Sequence, residues 1–257
     1  MFKRYFQYLL ASKNEHAIHS PFVFQLYTQI ILAKKFKSPY FTAIEDLRKR
    51  LLKNATVIEI TDFGAGSKIH KSTSRQIKQI AKSAEKPSKF GKLIFRLIQH
   101  LEPTIIFDLG TSLGVTTLYE SKAKQDAKII TFEGCPTTAK IAQENFDALE
   151  ANNIEIVVGN LDETLTEQIA KIERLDFAFF DANHRYEPTV KYFEICLEKA
   201  HESSLFIFDD IHWSEEMQEA WQYIKAHPSV MITIDLFFIG LVFFRKNQPK
   251  QDFILRF

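Results

Sequence analysis

From residue 88 onward the chain alternates between two hydrophobic patterns. Short unbroken apolar runs, "TIIFDLG", "KIITFEG", "IEIVVGN", "LDFAFFDA" and "SLFIFDD", read as strands buried on both faces. Between and around them, apolar residues recur at helical spacing over 88–101, 114–124, 136–151, 162–172, 187–200 and 214–226. Strands separated by helices of about 10–15 residues imply right-handed βαβ units and a parallel sheet covered on both faces. "VMITIDLFF" and "GLVFFRK" leave no room for a crossover helix, so they predict an antiparallel hairpin closing the sheet. The expected fold is α/β, a seven-stranded and mostly parallel sheet ending in that hairpin.

Residues 1–86 follow a different pattern, mainly helical with little strand signal. Ser20 stands where an N-cap belongs, with Pro21 at the first helical position. Ile44, Leu47, Leu51 and Leu52 continue at helical spacing, and "VIEITDF" is a short strand-like run. These features predict a helical cap over 1–86 ahead of a ligand-binding domain over 87–257.

Composition narrows the class. Of 257 residues 46% are apolar and 25% charged, as in ordinary globular proteins. The net charge of +1 gives no global field for nucleic acid or an anionic membrane, so nucleic acid is disfavoured as a partner. The basic runs "AKKFK" and "RKRLLK" keep that reading open. Cys135 and Cys196 lack CxxC spacing, which signals neither a disulfide framework nor a zinc site. No apolar run approaches the ~20 residues of a membrane span. "MFKRYFQYLL" is followed by Lys13 and Glu15 rather than by a cleavage site, and a cytoplasmic protein without membrane partners is expected. The 24 Phe offer a surface for a homodimer.

Two stretches could hold a nucleotide-like ligand: "ITDFGAGSKIH" (60–70) and "IIFDLGTSLGVTT" (105–117). Such a ligand needs glycines at the turn, a helix starting at once, and an acidic residue ending the next strand to accept ribose hydroxyls. The second stretch meets all three conditions, with Gly110, Gly114 and Glu133. The first has no immediate helix, and the same offset lands near Glu85, where no strand ends. Three residues between the glycines depart from the G-x-G-x-x-G of dinucleotide sites, which disfavours an NAD-linked oxidoreductase.

"DLGTSLGVTT", "FEGCP", "VVGNLDETL", "FFDANHRYEPT" and "FDDIHWS" stand in the order and spacing of class I S-adenosylmethionine-dependent methyltransferases. Residues 88–245 resemble most the branch that contains small-molecule O-methyltransferases such as catechol O-methyltransferase. The resemblance implies a Rossmann-like fold, S-adenosylmethionine as cofactor, and a small-molecule acceptor methylated on a hydroxyl. It implies that Asp108, Gly110 and Ser112 line the methionine portion, with Gly114 giving close packing and Thr116 meeting the carboxylate. Glu133 then takes the ribose, and Asn160 and Leu161 meet the adenine, while Asp162 caps the following helix. A "[DN]-P-P-[YF]" motif, common in amino-group methyltransferases, is replaced by "DANH". Nucleic-acid and protein methyltransferases, and a non-catalytic cofactor-binding module, are the competing readings.

Carboxylates gather at the strand ends where an acceptor would sit: Asp181 after the fourth strand, Asp209 and Asp210 after the fifth. They fit a hard cation, Mg²⁺ or Ca²⁺, or else helix caps with a contact from Asp181 to the cofactor's ammonium group. The resembling metal-dependent enzymes carry Asp, Asp and Asn, so Asp210 is a departure. His184 stands where that branch has a catalytic lysine. A neutral imidazole there could act with Asp181 in taking the acceptor's proton, or be a loop histidine bonded to a nearby carboxylate. His212 and Trp213 would wall the acceptor pocket, and His16 and His19 would be structural or line it. Residues 62–75 would then serve as a lid or substrate loop.

Overall fold

The alternation of apolar runs and amphipathic stretches becomes, element for element, an α/β fold in a computed structural model. The structure describes residues 2–33, 36–61, 74–84, 87–246 and 248–257. The chain forms two compact units, one of Met1–Lys34 with Thr166–Phe257 and one of Lys35–Leu165. Among the described residues no helix is long and apolar enough to cross a membrane.

At the start of the first unit lie α1 (Phe2–Ala11) and α2 (Pro21–Gln25), the latter running into a π-helical turn, Leu26–Ile31. Ser20 caps α2 as expected, its hydroxyl accepting from the Val23 N–H. In the second unit α3 (Tyr40–Leu51) leads into a hairpin of β1 (Val57–Glu59) and β2 (Ser74–Gln76), then α4 (Ile77–Ala84) and α5 (Ser88–Leu101). Ser88 is the first residue of α5, and Pro87 holds the N-cap position. Residues 62–73, most of the 62–75 stretch expected to act as a lid or substrate loop, lie outside the described residues.

The second unit continues through β3 (Ile105–Leu109), α6 (Val115–Ala123), β4 (Lys128–Glu133), α7 (Pro136–Ala148), β5 (Ile154–Val158) and the start of α8 (Leu161–Ile169). Its strands pair in parallel, β4 between β3 and β5. The first unit resumes with β6 (Phe177–Phe180), α9 (Tyr186–Leu197), β7 (Leu205–Asp209), α10 (Glu215–Ala226), β8 (Ile232–Asp235), β9 (Ile239–Phe243) and β10 (Gln251–Ile254). Its strand order is β10-β8-β9-β7-β6. The expected hairpin is β8–β9, and β9 also pairs antiparallel with β7. β10 raises the count of parallel-sheet strands and their hairpin from the expected seven to eight. This four-residue segment, "QDFI", follows a Pro-containing turn and pairs in parallel with β8. It was invisible as a strand because it alternates over only four residues, too few for a periodicity to register.

The second unit's core joins Ile44, Leu47 and Leu51 of α3 to Ile77 and Ile80 of α4, Phe95 of α5 and Tyr119 of α6. Gly91 allows α5 to lie against α6, because a Cβ there would stand 2.4 Å from the Tyr119 ring. One residue breaks the apolar rule. Glu120 on α6 is fully buried, and neither carboxylate oxygen has a hydrogen-bond partner among the described residues. Burial holds its carboxyl well above the usual range, and the neighbouring charge of Asp108 adds to the effect.

The folded protein therefore keeps a proton on Glu120 that the unfolded chain releases above its ordinary pKa of about 4.5. Stability falls as pH rises through that value and up to the folded pKa. Glu120→Met is expected to raise unfolding free energy at pH 8 by about 1–3 kcal/mol, with a gap that narrows toward pH 5. Urea unfolding of both proteins at the two pH values measures this, and parallel pH curves would contradict it.

Candidate active site

At the end of β3 the chain turns through three left-handed residues, Gly110 (φ 115°), Ser112 (φ 49°) and Gly114 (φ 81°). The Gly110 and Thr111 N–H groups both donate to the Phe132 carbonyl, at 3.2 and 3.0 Å. This fixes the turn to the neighbouring strand. Gly114 is the N-cap of α6, and a Cβ there would lie 2.4 Å from the Phe146 ring. Both its dihedral and its surroundings exclude a side chain.

Asp108, 1% exposed, accepts from the Thr117 hydroxyl at 2.5 Å and the Thr131 hydroxyl at 2.9 Å, both through Oδ2. Thr131 also meets Thr111, hydroxyl to hydroxyl, at 2.6 Å. Burial pushes the Asp108 carboxyl up to about 6; the two threonine bonds oppose this and the Glu133 charge adds to it. The sequence reading favoured Thr116, which is half-buried, and missed Thr117 and Thr131. Helical period alone points Thr117 inward, but only the sheet register reveals that Thr131 sits opposite Asp108.

Glu133 ends β4, and its carboxylate is held by two backbone donors. The Ser112 N–H gives to Oε2 at 2.8 Å and the Cys135 N–H to Oε1 at 2.9 Å. Cys135 is buried, and its Sγ accepts from the Thr61 N–H at 3.3 Å. Burial raises this thiol, yet hydrogen bonds from Thr138 and Thr61 outweigh it and leave the pKa below the usual value. At the end of β5, Asn160 caps α8: its Oδ1 accepts from the Asp162 N–H at 3.1 Å. Asp162 is thus a first-turn residue and not the expected cap, because the chain enters the helix two residues earlier. Leu161 is half-buried beside it. Asp108, Gly110, Ser112, Gly114, Thr116, Glu133, Asn160 and Leu161 all belong to the second unit.

The first unit gathers the remaining candidates. Asp181 follows β6, and the loop after it runs through left-handed Asn183 and His184, bringing His184 Nε2 to 3.3 Å from Asp181 Oδ1. Asp181, His184 and Asp209 each place a ligand atom within 4.8 Å of the others. Asp210, expected as the third carboxylate, stands outside that trio. Its left-handed backbone (φ 52°) is pinned by its N–H to the Phe238 carbonyl at 2.6 Å. Burial lowers the His184 pKa, but the bond to Asp181 and the charges of Asp181, Asp209 and Asp210 reverse this and leave it raised. The imidazole is therefore bonded to a neighbouring carboxylate.

His212 stacks on Phe237 and bonds Asp235 at 2.7 Å, and Trp213 is 44% exposed. Arg4 on α1 donates to the carbonyls of both His212 and Trp213, each at 3.2 Å. His16 and His19 are exposed, and His16 lies 3.9 Å from Glu15.

Residues 107–211 match the model of a family described as a methyltransferase domain. The O-methyltransferase imqG of Aspergillus flavus is 29% identical over 129 residues, covering 48% of this chain and 51% of that protein. The chain thus spans about half the length of the curated relative it matches. An O-methyltransferase from Bacillus cereus in complex with SAH superposes with a TM-score of 0.58 at 18% identity, over 86% of this chain and 96% of that one. TomG, an O-methyltransferase from Streptomyces achromogenes in complex with SAM, gives 0.57 at 13% identity over 87% and 95%. SAH-bound PaMTH1 of Podospora anserina gives 0.56 at 13% over 84% and 100%. At these identities the structures share the fold.

Gly114→Ala adds a Cβ that collides with Phe146 and forces a strained dihedral. It is expected to cost about 2–5 kcal/mol of stability, read from urea unfolding. A loss below about 0.5 kcal/mol would mean the turn can rearrange. That turn lies near the start of the matched region, residues 107–211, which is similar to a methyltransferase domain, and the chain shares its α/β fold with solved O-methyltransferase structures.

Proposed function

We propose that the protein transfers a methyl group from S-adenosylmethionine to a hydroxyl of a small-molecule acceptor. The observation that carries this reading is the Glu133 carboxylate, held at a strand end by the N–H groups of Ser112 and Cys135. Two carboxylate oxygens fixed in this way suit a vicinal diol such as a ribose. Asp108, Gly110 and Ser112 would flank the methionine portion, and Thr116 at the helix start its carboxylate. Asn160 and Leu161 would meet the adenine. Asp108 at about 6 ionises more fully beside a cationic ligand, which matches a cofactor carrying an ammonium and a sulfonium.

The bound cofactor would supply an electrophilic methyl group whose positive charge disappears on transfer. What the chain contributes is alignment, exclusion of water and management of the acceptor's proton. Asp181 and His184 are the residues proposed for that proton. His184 would have to be neutral to accept it, and its carboxylate neighbours work against that. Asp181, Asp209 and His184 would be the residues to hold a divalent cation, which would supply Lewis-acid stabilisation of negative charge on the acceptor. Oxygen donors alone suit Mg²⁺ or Ca²⁺, whereas an imidazole in the set favours a transition ion such as Mn²⁺. Residues 1–86 are proposed to shape the acceptor side, and the bonds from Arg4 to the carbonyls of His212 and Trp213 support this for α1.

Two measurements test the reading without knowledge of the acceptor. Glu133→Gln should weaken S-adenosylhomocysteine binding in calorimetry at least tenfold, about 1.4 kcal/mol. No binding by the wild-type protein would overturn the cofactor assignment. Mn²⁺ binding, followed by its electron paramagnetic resonance signal, should weaken at least tenfold in Asp209→Asn. If Mn²⁺ binds the variant as well as the wild type, the cation site is elsewhere or absent.

A further inference from the structure

The net charge of +1 conceals a strong segregation. The described residues between 36 and 92 hold ten Lys and Arg against three Asp and Glu. Residues 93–165, the rest of the same unit, hold five against eleven. Within one compact body, +7 on one set of elements faces −6 on the other.

The fold concentrates this positive charge further. α3 and α4 turn Ile44, Leu47, Leu51, Ile77 and Ile80 into the shared core, which leaves their polar sides outward. Lys49, Arg50 and Lys53 at the end of α3 are exposed, as is Lys82 on α4. The Lys78 N–H donates to the Asn54 carbonyl at 2.8 Å, so the start of α4 lies directly beside the end of α3. Of the other cations, Lys37 precedes α3, half-buried Arg48 lies on it, Arg75 lies on β2, and Lys89 and Lys92 occupy the first turns of α5. Two of the three acidic residues are already engaged: Asp46 with Lys49 at 2.9 Å, and Glu45 with the Tyr119 hydroxyl at 2.5 Å.

We propose that this face, formed by α3, the paired strands β1 and β2, α4 and the start of α5, binds the phosphodiester backbone of a nucleic acid. Its composition separates this partner from an acidic protein. Seven of the ten cations are lysines, a residue depleted from protein–protein interfaces, where aromatic anchors and arginines dominate. Lysine point charges match a chain of phosphates, which is bound largely by charge and with little sequence preference. Lys78 and Lys82, one helical turn apart, stand about 6 Å from each other, close to the spacing of successive phosphates. The edge of the face reaches the proposed cofactor loop, since the Thr61 N–H at the end of the hairpin strand bonds Cys135. The proposal does not rest on the methyltransferase reading, and either can fail alone.

Fluorescence anisotropy with labelled 20-nucleotide single-stranded RNA and 20-base-pair duplex DNA tests it on the full chain. Micromolar binding at 50 mM salt is expected, weakening about a hundredfold by 200 mM if some four duplex phosphates are neutralised. The triple variant Lys49→Glu, Arg50→Glu, Lys53→Glu should lose at least tenfold of this affinity while its melting temperature and S-adenosylhomocysteine binding stay unchanged. Should that variant fold poorly, the milder pair Lys49→Gln, Lys53→Gln should lower both the affinity and the salt slope. The relative affinity of the RNA and DNA arms identifies which backbone is preferred. Absence of binding at 50 mM salt, a folded variant that binds as the wild type does, or tighter binding of polyglutamate than of either nucleic acid would overturn the proposal.

Discussion

Two backbone N–H groups converge on one carboxylate, and the candidate site takes its shape from that convergence. Ser112 adopts a left-handed conformation, which costs a non-glycine residue on the order of 1 kcal/mol. Its N–H is thereby aimed at Glu133, one strand away. The Cys135 N–H closes the other side of the same carboxylate and ties the start of α7 to the end of β4. Below this clamp, Asp108 anchors both Thr117 of α6 and Thr131 of β4. Two acids thus fix the turn from above and from beneath. Each is held by donors from the chain itself, so the turn is shaped before any ligand arrives.

The strand–helix alternation from residue 88 was legible because a strand buried on both faces needs an unbroken apolar run and an amphipathic helix a 3.6-residue period. The choice between the two glycine stretches was legible because Gly110, Gly114 and Glu133 satisfy a condition on spacing. What escaped depends on register or on three-dimensional meeting. Thr131 matters only because it pairs opposite Asp108. His184 joins Asp181 and Asp209 in place of Asp210 because three left-handed residues, Asn183, His184 and Asp210, redirect the two loops. β10 escaped because its pairing with β8, not its composition, makes it a strand. Asn160 and Asp162 are equally good caps by residue type, and only the first turn of α8 decides between them.

Net charge was the least informative summary of this chain. A value near zero is the sum of a basic group of elements and an acidic remainder, and a partner meets a face rather than a sum. At physiological ionic strength the Debye length is about 8 Å, so opposite charges elsewhere on the unit do little to weaken a face of this kind. Glu120 marks the opposite extreme, an acid carried into the core where no counter-charge reaches either oxygen.

The unit that holds Asp181 and Asp209 is discontinuous, with 131 residues of the other unit, Lys35–Leu165, inserted between its two pieces. Tyr8 gives its hydroxyl to the Leu255 carbonyl, Tyr27 gives its own to Arg256, and Lys13 bridges Leu255. α1 therefore finds these partners, from His212 and Trp213 to Leu255, only beyond the whole of the inserted unit. At about 5–20 residues per second that interval is on the order of 10–50 seconds, with Phe2, Phe6 and Leu10 on its surface throughout. Synthesis leaves α1 waiting on residues about two hundred positions further along, while the inserted unit can fold in the meantime.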